Sequence, residues 1–462
     1  MSDKINIVLL AAGKGTRLNI DIAKPLCPAN GKTLVDYVIE ELAEIESEKK
    51  LYVVVGHKAE NVETHICENF PNLDKKFILQ KEQLGTGHAV KTFLDESPEA
   101  KDAEFTIVVC ADTPLIKKNT YDQLINKIKN DDLQAVCATF KLANPTGYGR
   151  IVHADKGFKI IEEKDASDEI KKINEVNSGL YIFKTEHINS YINNLNKENN
   201  SNEYYLTDLV EPGLDVATLC YKDSLEFTGV NNLIQLEQIE KELRRRKIEE
   251  LQLSGVRFIN SDSVYIEQTV RIERECTIYP NVVLMGKTSI GQHSIIESGT
   301  TIKNSTVAAN SIIKSNSYLE GAMVGERSAI GPMARLREGS VIGEACKIGN
   351  FVETKKVNFE NGVKVSHLSY LGDADIGENT NIGCGFVTCN YDGANKHKTT
   401  IGKNSFIGSD CQVVAPIKIG SDAYIGSGST INKDVPDGAF AIARERQTTK
   451  ENMAKIFIKK KE

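Results

Sequence analysis

The chain has 462 residues, enough for about three average domains. Its formal net charge of −7 gives no electrostatic reason to expect nucleic acid as a partner, and the absence of an apolar run of about 18 residues argues against a membrane span. The amino terminus lacks a signal-peptide core, and the ten cysteines include no C-x-x-C pair. We therefore expect a cytoplasmic protein with reduced thiols, and we expect Cys110, Cys137 and Cys220 to be buried in strands.

Up to about residue 230, β-branched runs alternate with amphipathic helical stretches. The runs that predict strands are INIVLL, LYVVVGH, FTIVVCAD, LQAVCATF, SGLYIFK and SLEFTGV, and the stretches that predict helices are LVDYVIEELAEI and NTYDQLINKIKN. This alternation indicates a Rossmann-like α/β domain over residues 1–230, with a mostly parallel sheet between layers of helices. Ligands of such sheets bind beyond the carboxyl ends of the strands.

The first strand runs directly into a glycine-containing turn, LLAAGKGTRL. The turn matches neither G-x-x-x-x-G-K-[ST] nor G-x-G-x-x-G. Its backbone can approach phosphates closely, with Arg17 and Lys24 nearby to offset their charge, although a plain strand–helix turn would look the same. Asp112 directly follows another predicted strand, where it is a candidate Mg²⁺ ligand or, alternatively, a turn residue before Pro114.

Residues 231–253 carry apolar side chains at helical spacing, which predicts one long linker helix. Over 254–462 the pattern changes, and aliphatic residues recur every six positions, as in Ile266, Ile272, Ile278, Leu284, Ile290, Ile296 and Ile302. This period is the hexapeptide signature of a parallel β-helix, and chains of this kind coil left-handedly. The period fails over 354–370 and again between Thr388 and Ile401, so CNYDGANKHKT is expected to loop out. Such a loop is either a tolerated insertion or part of a binding face.

The motifs of both halves resemble those of a known family. In the first half they are L-A-A-G-x-G-T-R, K-P, Q-L-G-T-x-H-A, D-x-P-L, Y-G-R-I, E-x-K-D-A, N-S-G and V-N-N, and in the second half ARLREG, NFVETKK, HLSYLGDADIG and TCNYDGANKHKT. Over roughly residues 5–450 the chain resembles the bacterial bifunctional enzymes that make UDP-N-acetylglucosamine. The resemblance implies acetylation of glucosamine-1-phosphate by acetyl-CoA, followed by uridylyl transfer from UTP to N-acetylglucosamine-1-phosphate with release of pyrophosphate.

The resemblance also implies roles for individual residues of the first half. Asp112 and Asn231 would hold Mg²⁺. The nucleotide- and sugar-binding residues would be Leu10, Ala11, Ala12, Gly13, Arg17, Lys24, Gln80, Gly85, Thr86, Gly149, Glu162, Asn177 and Asn231. Cys110 and Ala111 replace the Tyr-Gly that many relatives have before the metal-binding Asp, so contacts near them are expected to differ.

In the second half the resemblance implies that His367 is the base that deprotonates the attacking amine, a task for which histidine is usual near neutral pH. The residues that bind glucosamine-1-phosphate would be Arg337, Lys355, Tyr370 and Asn381. The residues at acetyl-CoA would be Cys384, Asn390, Tyr391, Ser409, Ser427 and Arg444. Ser366, Cys384 and Phe386 depart from the family pattern, and Cys384 is expected to be a small buried filler. Family β-helices associate side by side, which implies a homotrimer.

Two alternatives remain at this stage. One is a monofunctional sugar-1-phosphate nucleotidyltransferase whose β-helix is purely structural, and His367 with Lys355 and Tyr370 argues against it. The other is a non-catalytic regulatory protein, and the presence of Lys24, Asp112 and Asn231 argues against that. In each case we expect small-molecule ligands, no nucleic acid and no membrane span.

Overall fold

The computed structural model describes residues 4–458. The chain forms two compact units, which divide between Leu243 and Arg244. This division lies inside a single helix, Leu233–Leu253, which coincides with the predicted linker helix to within two residues. Among the residues that the structure describes, no helix is long and apolar enough to cross a membrane.

The amino-terminal unit is built around a nine-stranded sheet. The main path of the sheet, from edge to edge, is Val216–Tyr221, Ala135–Lys141, Glu175–Lys184, Phe105–Cys110, Lys4–Ala11, Glu48–Val55 and Lys75–Leu79. The hairpin of Arg150–His153 and Phe158–Ile161 joins the sheet through Glu175–Lys184, which runs antiparallel to its neighbours. The strands Pro28–Ala29 and Lys32–Thr33 form a separate ribbon.

Helices cover this sheet and bury its apolar side chains. They are Leu34–Ala43, Ala59–Asn69, Thr86–Glu96, Lys118–Asn130 and Thr185–Tyr191. The helix Leu34–Ala43 begins at a capping box, in which the Thr33 N–H donates to Asp36 Oδ2 at 2.8 Å. Its apolar face packs into the core, with Val35, Val38 and Ile39 almost completely buried. The predicted α/β class, both predicted helices and five of the six predicted strands are confirmed.

The sixth predicted strand, SLEFTGV, is wrong. Its residues Leu225–Phe227 form a 3₁₀ turn, because the Leu225 N–H donates to Asp223 Oδ1 and bends the chain. The Glu226 carboxylate is then buried, where it accepts hydrogen bonds from the Lys117 N–H and the Thr120 hydroxyl. The edge strand is Val216–Tyr221 instead, and Cys220 on that strand is exposed rather than buried.

The carboxy-terminal unit is a parallel β-helix, consistent with the left-handed coil predicted from its repeats. One face is an 11-stranded sheet of Arg257–Phe258, Thr277–Ile278, Ile295–Ile296, Ile312–Ile313, Ala329–Ile330, Lys347–Asn350, Lys364–His367, Asn381–Ile382, Phe406–Ile407, Tyr424–Ile425 and Phe440–Ala441. The other faces share a 17-stranded sheet of Tyr265–Ile266, Arg271–Ile272, Val283–Met285, Ser289–Ile290, Thr301–Lys303, Thr306–Val307, Tyr318–Glu320, Met323–Val324, Arg335–Leu336, Val341–Ile342, Glu353–Phe359, Tyr370–Ile376, Val387–Cys389, Thr399–Ile401, Gln412–Val414, Ile417–Ile419 and Thr430–Ile431.

The hexapeptide pattern explains this core. Ile278, Ile296, Ile313, Ile330 and Ile348 lie in register on successive coils, and each is completely buried. Each inward aliphatic side chain therefore packs on its counterpart in the next coil. The predicted excursion after Thr388 is also present, and an antiparallel bridge between Tyr391 and Lys396 closes it.

Candidate active sites

A cavity of about 290 Å³ opens at the carboxyl ends of the central strands of the amino-terminal unit. Predicted nucleotide-binding residues line it, namely Leu10, Ala11, Ala12, Gly13, Lys24, Gln80, Gly85 and Thr86, together with the predicted metal ligand Asp112. Cys110, Ala111, Gln83 and Glu203 complete much of the remaining wall. Burial raises the pKa of the Cys110 thiol to about 12, so this cysteine is a neutral wall residue.

Two cations and the two predicted metal ligands meet at one end of the site. The Lys24 ammonium contacts the Asp112 carboxylate and also donates to Asn231 Oδ1 at 3.1 Å. The Arg17 guanidinium donates to the same amide oxygen at 3.1 Å. A backbone hydrogen bond of 3.0 Å from the Val230 N–H to the Asp112 carbonyl fixes the segment that carries Asn231.

An amide side chain and a glycine shape another part of the cavity wall. Gln80 is 3% exposed, and its side-chain amide donates to the Gly85 carbonyl at 3.2 Å. Gly85 has a φ of +106°, and a Cβ there would lie 2.5 Å from the Tyr204 carbonyl oxygen. No L-residue with a side chain fits this turn without displacing the backbone at Tyr204.

The predicted sugar-binding residues Gly149, Glu162 and Asn177 do not line the cavity, but Gly149 lies next to each of the other two. The Asn177 N–H donates to the Gly149 carbonyl at 2.9 Å, and a Cβ on Gly149 would lie 3.2 Å from Glu162 Oε1. Burial, reinforced by the nearby Asp165 carboxylate, raises the pKa of Glu162. Gly179 connects this cluster to the cavity wall. Its N–H donates to Asn177 Oδ1 at 3.0 Å, and its Cβ position lies 3.7 Å from the thiol of Cys110, which lines the cavity.

In the carboxy-terminal unit, one corner of the β-helix collects the predicted base and several predicted acetyl-CoA residues. Backbone hydrogen bonds between successive coils run from Leu368 to Asn350, from Gly385 to Leu368, from Asp410 to Cys384 and from Gly428 to Ser409. This corner therefore stacks His367, Cys384, Ser409 and Ser427 in one column, with the Arg444 side chain beside Gly428. All are exposed except Cys384, which is half-buried, so the expectation of a buried filler was wrong.

The ring of His367 has a defined partner at this corner. His367 and Asn350 are in register on adjacent strands, and His367 Nδ1 lies 2.7 Å from Asn350 Oδ1. Because an amide oxygen can only accept, this contact favours the tautomer of the neutral imidazole that carries its proton on Nδ1 and leaves Nε2 as an acceptor. This tautomer is the one that the predicted role of His367 as a base requires, and no sequence signal singled out Asn350, which lies 17 residues away.

Lys355 and Tyr370, two of the residues predicted to bind glucosamine-1-phosphate, lie on adjacent strands of the 17-stranded sheet. Lys355 is in register with Gly372, and the Tyr370 hydroxyl lies 2.5 Å from the Cβ position of Gly372. The Lys396 ammonium, followed by the Arg337 guanidinium, lowers the pKa of Lys355. The structure thus adds Lys396 to the predicted cations. Lys396 lies on the looped-out segment. Its positive charge and the break in the six-residue period there could have identified it from the sequence.

The remaining predicted residues are placed less uniformly. Asn390, at the root of the loop, is 7% exposed, whereas the next residue, Tyr391, is 60% exposed. Asn381 lies on the 11-stranded sheet in register with Lys364, and so on a different sheet from Lys355 and Tyr370. Within the single chain, the predicted acetyl-transfer residues form an open surface.

Comparisons with known proteins match both units. The family model for nucleotidyl transferases covers residues 6–225, the model for the GMPPB C-terminal domain covers 260–358, and the model for bacterial transferase hexapeptides covers 398–433. The chain is 42% identical to the "Bifunctional protein GlmU" of Clostridioides difficile over 96% of both chains. It is 41% identical to that of Pelobacter propionicus over 99% of this chain and 100% of the relative. It is 40% identical to that of Shouchella clausii over 97% of this chain and 98% of the relative.

Proposed function

The chain belongs to the family of bifunctional GlmU proteins, and from that premise we propose where its two reactions take place. The protein is an N-acetylglucosamine-1-phosphate uridylyltransferase and a glucosamine-1-phosphate N-acetyltransferase. Residues 1–230 would carry out uridylyl transfer and residues 254–462 acetyl transfer, with the helix over 231–253 between them. The expectation of two activities is confirmed by the family, and the monofunctional and regulatory alternatives are set aside.

The residues at the phosphate end of the first site fit Mg²⁺. Asp112 offers a carboxylate and Asn231 an amide oxygen, and both face the Lys24 ammonium. Within residues 4–458 no cluster of three or more His, Cys, Asp or Glu side chains could hold a metal. A donor set of one carboxylate and one amide suits an ion that takes its other ligands from water and substrate phosphates. Mg²⁺ held by Asp112 and Asn231 would supply charge neutralisation at the phosphates of UTP.

The protein's own contribution to uridylyl transfer would be alignment and charge. Arg17 and Lys24 would offset the negative charge of the triphosphate and of the departing pyrophosphate. Gln80 and Gly85 would hold the uracil, and Gly149, Glu162 and Asn177 would hold the acetylated sugar. The sugar phosphate oxygen would then attack the α-phosphorus directly, without a covalent protein intermediate.

In acetyl transfer, His367 would act as general base. Its free Nε2 would take the proton of the glucosamine amine as the amine nitrogen attacks the thioester carbonyl, and CoA would leave as the carbon–sulfur bond breaks. Arg337, Lys355 and Lys396 would bind the sugar phosphate. Ser409, Ser427 and Arg444 would guide acetyl-CoA along the corner towards His367. The observation that supports this assignment is the alignment of these residues along one corner beside a cluster of cations.

We also propose a homotrimer formed through the β-helix, and a cytoplasmic location where UTP and acetyl-CoA are supplied. The support for the oligomer is the exposure of His367, Ser409, Ser427 and Arg444, because a second copy could enclose a surface that one chain leaves open.

The test is an assay of the purified protein with glucosamine-1-phosphate, acetyl-CoA, UTP and Mg²⁺, in which CoA and pyrophosphate are measured separately. We expect CoA release to require the amino sugar, and pyrophosphate release to require the acetylated sugar phosphate. TTP, CTP and ATP should compete poorly with UTP. Pyrophosphate release without any CoA release would contradict the assignment of the β-helix.

A further inference from the structure

The segment that leaves the β-helix after Thr388 closes on itself through one carboxylate. Asp392 Oδ1 accepts the backbone N–H groups of Ala394 at 2.8 Å and Asn395 at 2.7 Å, while Oδ2 lies 2.6 Å from Nε2 of His397. These contacts, led by the Asn395 N–H, hold the pKa of Asp392 well below its usual range. We call the Asp392–His397 pair the clasp.

The clasp is joined to the root of the loop by hydrogen bonds. The His397 N–H donates to the Asn390 carbonyl at 2.8 Å, and the Asn390 side-chain amide donates to Asp373 Oδ2 at 2.6 Å. Asn390 Nδ2 also lies 2.7 Å from the Cβ position of Gly372, where the Tyr370 hydroxyl packs. The loop is therefore fixed at its base against the face that carries the sugar-phosphate residues.

The segment closed by the clasp contains Lys396, and Tyr391 immediately precedes it. These two residues form the antiparallel bridge that shapes the loop, and the Tyr391 hydroxyl donates to the Gly393 carbonyl at 2.6 Å. Lys396 is held close enough to Lys355 for its charge to act on that ammonium. Like charges repel, so an open loop would move Lys396 away from Lys355 into solvent.

We propose that the Asp392–His397 clasp is a positioning pair for acetyl transfer, which holds Lys396 at the sugar phosphate and Tyr391 beside the reacting groups. This inference rests on the proposed acetyltransferase function and adds two residues that act through the loop without touching the substrates. Preorganised charges are effective because they need no rearrangement when the substrate binds or reacts.

Because the Asp392–His397 pair is partly exposed, its removal can distinguish a role in positioning the loop from a role in stabilising the fold. The Asp392 and His397 side chains are 46% and 31% exposed, and a contact between exposed polar side chains adds little to global stability. Loss of the clasp should therefore leave the β-helix folded while it frees the loop. The chain also offers a matched control, because His293 Nδ1 lies 2.8 Å from the Glu275 carboxylate on coils far from the loop.

The experiment compares the wild type with Asp392→Ala, Asp392→Asn, His397→Phe and the control His293→Phe, all as full-length chains. Asp392→Asn keeps an acceptor for the backbone N–H groups but loses the charge, so it should fall between the wild type and Asp392→Ala. We expect Asp392→Ala and His397→Phe to raise the KM for glucosamine-1-phosphate by about 5–20-fold and to lower kcat for CoA release. Pyrophosphate release and thermal unfolding should match the wild type in all variants, and trypsin should cleave after Lys396 faster in Asp392→Ala.

Each outcome decides between the hypotheses. Wild-type release of CoA with unchanged kinetic constants in Asp392→Ala and His397→Phe would overturn the clasp while leaving the proposed function intact. An equal effect of His293→Phe would also overturn it, since the effect would then not depend on the loop. No CoA release by the wild type would refute the proposed function and the clasp together.

Discussion

Replacement of His367 by alanine provides the sharpest test of the acetyl-transfer site. The ring is exposed at a corner, where Nδ1 lies 2.7 Å from Asn350 Oδ1, so its loss should leave the fold unchanged. A positioned general base accounts for about 10²–10⁴ in rate, which corresponds to about 3–5 kcal/mol of transition-state stabilisation. We expect kcat for CoA release to fall by that factor in His367→Ala, while the KM for acetyl-CoA changes little.

The same geometry predicts a smaller effect for the partner of His367. Asn350→Ala removes the acceptor that keeps the proton on Nδ1, so part of the population would carry it on Nε2, where it blocks the base. We expect a loss of about 10-fold in kcat, because the imidazole itself remains in place. CoA release can be followed with a thiol reagent, and pyrophosphate release by the same preparation serves as the internal control. CoA release at the wild-type rate in His367→Ala would refute the assignment of the base.

Further predictions concern the first site. Asp112→Asn should reduce pyrophosphate release by at least about 100-fold and leave CoA release unchanged, because it removes the carboxylate proposed for Mg²⁺; unchanged turnover of UTP would remove Asp112 from the metal site. Gly149→Ala places a Cβ 3.2 Å from Glu162 Oε1, so the KM for N-acetylglucosamine-1-phosphate should rise several-fold with the KM for UTP unaltered. The raised pKa of Glu162 means that its carboxylate takes up a proton at a higher pH than an exposed glutamate does. Affinity for the acetylated sugar phosphate should therefore fall as the pH is lowered through that pKa, and a calorimetric titration of Glu162→Gln should show no such step.

The architecture of the β-helix was predictable from sequence because its packing is local and periodic. Each inward residue, such as Ile296, is in register with the equivalent residue one coil away, here Ile313. Since three hexads make one coil, the six-residue period predicts both which side chains face the core and which strands pair. Asn350 was missed for the same physical reason. It approaches His367 only after the chain has completed one coil, and an outward-facing asparagine carries no hydrophobic signal. A search one coil before the histidine would have found it.

In the amino-terminal unit, secondary structure was harder to predict from sequence where side-chain hydrogen bonds, rather than the pattern of apolar residues, determine the local conformation. SLEFTGV has the composition of a strand, yet the side chains of Asp223 and Glu226 accept hydrogen bonds that curl it into a turn. Val216–Tyr221 takes its place at the sheet edge, where one side of the strand faces solvent and Cys220 is exposed. The glycine turn after the first strand, by contrast, was recognisable because its small residues follow an unbroken apolar run.

The two proposed sites would bind phosphates in physically different ways, because their cations are held by different kinds of structure. The first lies at strand ends, where Asp112 and Asn231 can share the charge of Lys24 and Arg17. The second places Arg337 and Lys355 on the outside of a rigid coil and Lys396 on the loop that leaves it. Glu353 accepts a hydrogen bond of 2.8 Å from Arg337 and also pairs with Arg335 at 4.0 Å, so it offsets the charge of Arg337 only in part. Mutual repulsion among these cations favours an anion between them, but the coil can hold only Arg337 and Lys355 in position. Lys396 depends on its loop, so affinity for the sugar phosphate should respond to the closure of the loop more strongly than to any change within the coils.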